Sequence, residues 1–334
     1  YDQFMAAAER TIMKTSTGLA PWKIIEGYDE RYRSIAVATI IRDAIRFRLD
    51  EAGKVSIGSN GDASARSKPA ATEVSDSPPV TILSRLDMSK TLAKGDYEAD
   101  LKRYQAKLNQ LQRAAREHKV STILVFEGWD AAGKGGSIRR ITAALDARDY
   151  QVIQIAAPTD EEAAHNYLWR FWRHIPRAGK VTIYDRSWYG RVLVERIEGF
   201  AGTREWQRAY AEINDFEAQL VEGGIVLLKF WLHITSDEQL CRFKEREQIS
   251  YKAWKLTEED WRNRERWADY EMAVNDMIER TSTRQAPWTL VEANDKRYAR
   301  IAVLRMLCER LEAALASHSG RVRSNHKDAK LSKV

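Results

Sequence analysis

Val120–Phe126 is a short, nearly continuous apolar run, and the segment after it carries Gly128-Trp129-Asp130-Ala131-Ala132-Gly133-Lys134, which fits the pattern G-x-x-x-x-G-K. A strand without polar alternation suits burial on both faces. Gly128 and Gly133 allow the backbone N–H groups of Ala131, Ala132 and their neighbours to wrap around phosphate oxygens, and Lys134 adds a mobile cation. The helix expected to open near Gly135 turns its positive end towards the same anion. Alone the pattern is common. Between a buried strand and a helix it predicts a phosphate loop rather than a Gly-rich structural turn.

The flanking sequence agrees with such a loop. Leu101, Tyr104, Leu108, Leu111 and Ala115 recur at helical spacing, and strand-like runs follow at Gln151–Ala156, Val181–Tyr184, Ile225–Ile234 and Pro287–Glu292. Helix-prone polar stretches separate them. The alternation predicts a three-layer α/β fold with a five-stranded parallel sheet and helices on both faces.

Three further constellations bear on chemistry. The residue after Lys134 is Gly135, where a phosphate loop of the ordinary kind has a Ser or Thr whose hydroxyl binds Mg²⁺. A metal would need another oxygen ligand, and Asp130 within the loop offers a carboxylate; a turn cap is its other reading. Asp185 closes the apolar run Val181–Tyr184, the place of a second metal carboxylate, and Arg186 beside it can neutralise a transferring phosphoryl group. The competing role for Asp185 is a helix cap. Arg242, Lys244, Arg246, Lys252 and Lys255 are interleaved with Phe243, Tyr251 and Trp254. That stretch reads as a solvated helix face or as a basic helical lid over phosphates. Leu168–His174 alternates rings and cations and suits either an anion site or core packing.

Residues 12–37 align with 278–303 at a constant offset of 266, with 14 of the 26 positions identical, among them Ala20-Pro21-Trp22 against Ala286-Pro287-Trp288. The repeat predicts two homologous domains in tandem. Residues 1–49 are then the end of the first, 50–80 a flexible linker, 81–316 a complete second domain and 317–334 a disordered basic tail. Starting at Tyr1 rather than Met, the chain is expected to be part of something longer. Lys+Arg total 54 against Asp+Glu 48, so polyanionic partners suit the balance without being singled out by it. Two cysteines exclude a disulfide framework, and no apolar stretch suits a membrane span; a cytoplasmic protein is expected.

The loop Gly128–Gly135, the segments Leu168–Arg173 and Asp185-Arg186-Ser187-Trp188-Tyr189-Gly190-Arg191, and Ala286-Pro287-Trp288 together resemble the family-2 polyphosphate kinases over roughly residues 82–316. The 266-residue repeat resembles the tandem members, similar to polyphosphate:AMP phosphotransferases, in which the second domain is catalytic. The resemblance implies a P-loop kinase-like fold and Mg²⁺-dependent transfer of a terminal phosphoryl group from inorganic polyphosphate to AMP, with ADP as the alternative acceptor. It carries Asp130 and Asp185 over as metal ligands, Lys134 and Arg186 as catalytic phosphate contacts, and Arg246 as a lid arginine; Arg242, in the same basic stretch, is a further candidate phosphate contact. The family's loop itself ends in Gly-Lys-Gly, so Gly135 is no departure from it. A homo-oligomer is expected, with no nucleic-acid or membrane partner. An ATP-using nucleotide kinase and a non-catalytic polyanion-binding module are the rivals. Residues 1–49 contain neither phosphate loop nor strand-end acid. A chain begun near Pro79 should therefore keep its specific activity, and a large loss in a folded truncation would show that the repeat helps build the site.

Overall fold

The computed structural model describes residues 1–18, 20–57, 80–249 and 257–331, with backbone alone at 51–57 and 319–331. The chain divides into two compact units, Tyr1–Ser77 and Pro78–Val334. The first contains the helices α1 (Asp2–Thr15) and α2 (Glu30–Ile57). The second runs α3 (Lys94–Glu117), β1 (Thr122–Gly128), α4 (Lys134–Thr142), β2 (Tyr150–Gln154), β3 (Val181–Asp185), α5 (Thr203–Glu222), β4 (Val226–His233), α6 (Ser236–Glu247), α7 (Glu258–Glu265), α8 (Trp267–Thr281), β5 (Trp288–Glu292) and α9 (Lys296–Leu331). Single helical turns lie at Asp160–Ala163, Trp169–Trp172, Trp188–Val192 and Val194–Ile197.

All five strands are parallel, in the order β2-β3-β1-β4-β5. Parallel neighbours cannot be joined by a tight turn, so helical crossovers connect them and cover the sheet. α3 and α9 pack on each other, and α9 also meets α4, β4 and β5; α5 packs against β4 and α8. β1 lies at the centre, and the side chains from Thr122 to Glu127 are buried. Parallel strands deliver their C-terminal ends to one edge, where an α/β sheet opens its ligand crevice. Gly128, Asp185 and Glu292 all end strands there.

The ring-rich segment 168–174 divides between the two readings of it. Phe171 is core, edge-on to Tyr184 and Trp188. Arg170 pairs with Glu162 at 3.2 Å, and Arg173 lies 4.7 Å from the centre of the Trp169 ring.

Below the sheet's functional edge lies a charge pair with no access to water. Lys229 of β4 is 0% exposed and Glu217 of α5 is 1% exposed. Lys229 Nζ donates to Glu217 Oε2 at 2.7 Å, to Tyr189 Oη at 2.9 Å and to the Thr281 carbonyl at 2.8 Å. Glu217 Oε1 accepts from Trp188 Nε1 at 3.0 Å and from Tyr189 Oη at 2.7 Å. Burial pushes Lys229 down and Glu217 up, each against its charge; their contact and the surrounding donors oppose this only in part. The network ties the segment after Asp185 to two helices.

Two expectations change. Pro21–Glu26, which the repeat sets opposite the strand Pro287–Glu292, is coil, and unit 1 shows no strand among its described residues. Its counterpart β5 is a strand because Trp288 and its successors pair with Lys229–His233 of β4. The linker expected from residue 50 begins as helix, because α2 continues to Ile57; the remainder, 58–79, lies outside the described residues. The tail expected to be disordered from 317 is helical backbone to Leu331, where Lys296–Leu331 holds no proline and a single glycine, Gly320. Without a breaker, one helix carries on.

Removing one partner of the buried pair leaves a naked charge in the core. Lys229→Met should lower the free energy of unfolding by about 3–5 kcal/mol, and Lys229→Met/Glu217→Leu should recover a substantial part. Urea denaturation checks this. A single-variant cost near zero would mean that water reaches the pair.

Candidate active site

The phosphate loop runs from the end of β1 into α4, and its shape is fixed by backbone that only small residues tolerate. Gly128 has φ of 149°, and a Cβ there would sit 2.5 Å from the Leu232 carbonyl oxygen. Gly133, at φ 108°, caps α4. Ala131, at φ 63°, is one of the few non-glycine residues in the left-handed region. Its neighbour in that class is Arg186, at φ 65°, where the chain turns out of β3. Such conformations persist only where the surroundings enforce them. Here Arg186 N donates to the Phe126 carbonyl at 3.0 Å, which locks the exit of β3 to the exit of β1.

Phe126 and Asp185 are register partners on β1 and β3, so the two strand ends bring Asp185 beside the loop that carries Asp130. Arg186 Nη2 reaches Asp130 Oδ1 at 3.0 Å, and Asn263 Nδ2 donates to Asp130 Oδ2, also at 3.0 Å. Burial alone would push the Asp130 carboxyl up. Lys134, Arg186, the Asn263 amide and Arg246 more than offset this and hold it below the ordinary carboxylate value. Lys134 folds over its own loop, donating to the Gly128 carbonyl at 2.7 Å and the Trp129 carbonyl at 3.2 Å. Gly135 lies exposed in the first turn of α4.

Arg242 has a different place from the one its sequence context suggests. It is buried, and its Nη1 donates to the carbonyls of Ala131 (2.9 Å) and Ala132 (3.1 Å). Its Nη2 donates to the carbonyls of Ala293 (2.6 Å) and Asn294 (2.9 Å), and its Nε pairs with Glu238 at 2.6 Å. It braces the back of the loop rather than standing free on a mobile helix. Arg246, one turn further along α6, is half-buried and lines a cavity of about 260 Å³ with Ala131, Gly133, Lys296, Arg300 and Arg242. Of the remaining cations of the expected lid, Lys244 is exposed on α6, and Lys252 and Lys255 lie outside the described residues.

Several residues at the site carry no signal in an isolated motif. Glu127, buried at the end of β1, accepts from Ser187 Oγ at 2.8 Å and so links the segments after β1 and β3. Burial pushes its carboxyl up, against the opposing pull of Ser187, Lys134 and Arg186. Trp129 is stacked on Trp267 at 3.7 Å and donates to His233 Nδ1 at 3.1 Å. Burial brings His233 down to about 4, so it is a neutral acceptor there. Lys296 and Arg300 could have been found in the repeat, where the 266-residue offset places Glu30 and Ser34 opposite them while Asp295 and Tyr298 keep Asp29 and Tyr32. The two copies share the turn and differ at the cavity wall.

Comparison with known proteins follows this geometry. The family model of polyphosphate kinase 2 matches residues 91–319. A polyphosphate:AMP phosphotransferase of Pseudomonas syringae pv. tomato is 51% identical over 320 residues, covering 95% of this chain and 62% of the relative. An ADP-polyphosphate phosphotransferase 2 of Rhizobium meliloti is 42% identical over 63% of this chain and 69% of its own length. The crystal structure of polyphosphate kinase 2 from Arthrobacter aurescens superposes with a TM-score of 0.67 at 38% identity, covering 69% of this chain and 85% of that one. This chain thus spans less than two thirds of the length of the Pseudomonas relative.

Arg242→Lys keeps the charge but cannot fork to four carbonyls. It should cost about 1–3 kcal/mol of stability. The loosened loop should also lower turnover by about 10–100-fold. Thermal melts and steady-state rates read both; wild-type values in each would remove Arg242 from the loop's support.

Proposed function

We propose that this chain, which belongs to the polyphosphate kinase 2 family, transfers the terminal phosphoryl group of inorganic polyphosphate to AMP, giving ADP and a polyphosphate shorter by one unit. The observation that carries the choice of donor is the cavity beside the phosphate loop. Among the described residues its wall carries Arg246, Lys296, Arg300 and the loop-bracing Arg242 against one acid, Glu245, and no aromatic ring. A row of cations suits a chain of phosphates; a purine would call for an apolar or stacking surface. AMP as acceptor rests on the polyphosphate:AMP phosphotransferase relative, and ADP is the second reading, favoured by the Rhizobium relative.

The chemistry needs little covalent help from the protein. An anionic oxygen of the AMP phosphate attacks the terminal phosphorus in line, and the bridging P–O bond breaks. That oxygen carries no proton at neutral pH, so no general base is required. Loop N–H groups and Lys134 hold the donor oxygens, and Arg186 neutralises charge on the phosphoryl group in flight. Lys134 exchanges its carbonyl contacts for phosphate oxygens, which are the stronger acceptors.

Mg²⁺ suits the oxygen donors gathered here. Asp130 and Asp185 would hold it. Among the described residues no three acidic, His or Cys side chains are clustered as a complete metal cage. Mg²⁺ ordinarily takes one or two carboxylates and completes its shell with water and substrate phosphates. When bound, it supplies charge neutralisation across the phosphates. Asp130, held ionised by its neighbours, is ready to act as a ligand at neutral pH. No helix among the described residues is long and apolar enough to cross a membrane.

A coupled assay with AMP or ADP as acceptor and polyphosphate or ATP as donor tests the reading, with AMP plus polyphosphate expected to be fastest. In the same assay Lys134→Ala should lose at least about 100-fold in turnover without change in melting temperature. ATP outperforming polyphosphate would overturn the donor assignment, and an active, folded Lys134→Ala protein would overturn the loop assignment.

A further inference from the structure

We infer that Asn263 and Tyr270 form a positioning pair that holds the Asp130 carboxylate in its cation-ready orientation, so that the docking of α7 on the phosphate loop sets the affinity for the divalent ion. The inference rests on the reading of Asp130 as a cation ligand and adds residues that neither loop nor strand motif contains. Asp130 has two partners on its two oxygens. Arg186 Nη2 holds Oδ1 at 3.0 Å, and Asn263 Nδ2 holds Oδ2 at 3.0 Å. The amide of Asn263 is itself oriented, because the Tyr270 hydroxyl donates to Asn263 Oδ1 at 3.2 Å and leaves the nitrogen facing Asp130. Arg186 therefore meets the carboxylate through one nitrogen and one oxygen rather than as a two-pronged fork.

That arrangement matters for a cation. A guanidinium prefers to take both oxygens of a carboxylate in parallel. Without Asn263 nothing described holds Oδ2, and the side chain is free to rotate into a bidentate pair with Arg186. Its lone pairs would then be directed at the guanidinium instead of the ion. The amide donor thus shares the carboxylate between arginine and metal, as outer partners commonly orient ligating carboxylates.

The helix that carries Asn263 is pinned to the same short stretch of loop by independent contacts. Arg264 Nη1 donates to the Ser236 carbonyl at 2.7 Å and to Gln239 Oε1 at 3.2 Å, and Gln239 Nε2 donates to the Asp130 carbonyl at 3.1 Å. Trp267, at the start of α8, lies flat on Trp129 at 3.7 Å with the ring planes 8° apart. Backbone carbonyl, preceding side chain and carboxylate of residue 130 are each tied to the α6–α8 region.

The test is Mn²⁺ binding to the whole chain, read from the loss of the free-ion EPR signal, for wild type, Asp130→Asn, Asn263→Ala, Tyr270→Phe and the Asn263→Ala/Tyr270→Phe double variant. Asn263→Ala should weaken binding by about tenfold. Tyr270→Phe should weaken it less and add nothing to Asn263→Ala, since it acts only through the amide. With Mg²⁺ raised to saturation, the KM for polyphosphate should return to its wild-type value in both, which general damage to the site would not allow. Wild-type Mn²⁺ affinity in Asn263→Ala, with Asp130→Asn impaired, overturns the inference and leaves Asp130 as a ligand. Unchanged binding in Asp130→Asn overturns both. Tyr270→Phe keeps its ring and carries the test should Asn263→Ala not fold; equal wild-type affinity there overturns the pair.

Discussion

Arg242 solves a problem that every phosphate loop creates. Turning the N–H groups outward towards an anion turns carbonyl oxygens inward, where each needs a donor. One guanidinium supplies Ala131 and Ala132 from one nitrogen and Ala293 and Asn294 from another, so the loop after β1 and the loop after β5 share a single brace. Glu238, one helical turn back on α6, fixes the guanidinium's remaining edge. With the loop held from behind, Lys134, Asp130 and the cavity wall have defined places. The cost is that this arginine has no donor left over for substrate, which is why its nearness to the loop in space and its nearness to Arg246 in sequence point to different roles.

The internal repeat separates what short segments encode from what long-range pairing imposes. Trp22 Nε1 donates to Thr15 Oγ1 at 2.7 Å, and Trp288 Nε1 donates to Thr281 Oγ1 at 2.9 Å, at the same 266-residue offset. Trp22 N meets Ser16 Oγ and Trp288 N meets Ser282 Oγ in the same way. Asp29 and Asp295 each accept from the backbone N–H three residues on, at Tyr32 and Tyr298. The turns thus form in both copies from their own residues. The strand forms only in the second, because a strand needs another strand's donors and acceptors. Burial follows the sheet: Trp288 is 8% exposed and Trp22 56%, Ile301 6% and Ile35 68%.

The sheet was legible in sequence because burial on both faces writes a nearly continuous apolar run, as at Val120–Phe126, and because a phosphate loop needs glycine at fixed places. Asp130, Lys134, Asp185 and Arg186 could be picked out for the same reason: motif residues sit at set distances from strand ends. Their mutual contacts could not. The Asp130–Arg186 pair spans 56 residues and the Asp130–Asn263 bond 133, and neither spacing has a local signature. Pro21–Glu26 carries a composition close to that of β5 and stays coil, since no neighbouring strand among the described residues of its unit offers it donors and acceptors. Helix ends were misread at 50 and 317 because polar composition alone does not stop a helix; proline, or glycine at a capping position, does.

Asp130 shows how the site reconciles opposing demands. A carboxylate at the mouth of a buried strand would drift towards its neutral form, and a neutral acid is a poor ligand for a hard cation. The surrounding cations keep it ionised, yet the same cations compete for its oxygens. Lys134 acts at a distance while its ammonium engages loop carbonyls, Arg186 takes one oxygen, and a neutral amide takes the other. A second guanidinium in the place of Asn263 would hold the charge more firmly and leave less of it for an ion. A neutral donor orients the carboxylate without adding a competing charge, which makes an amide at this position compatible with both folding and the proposed metal binding.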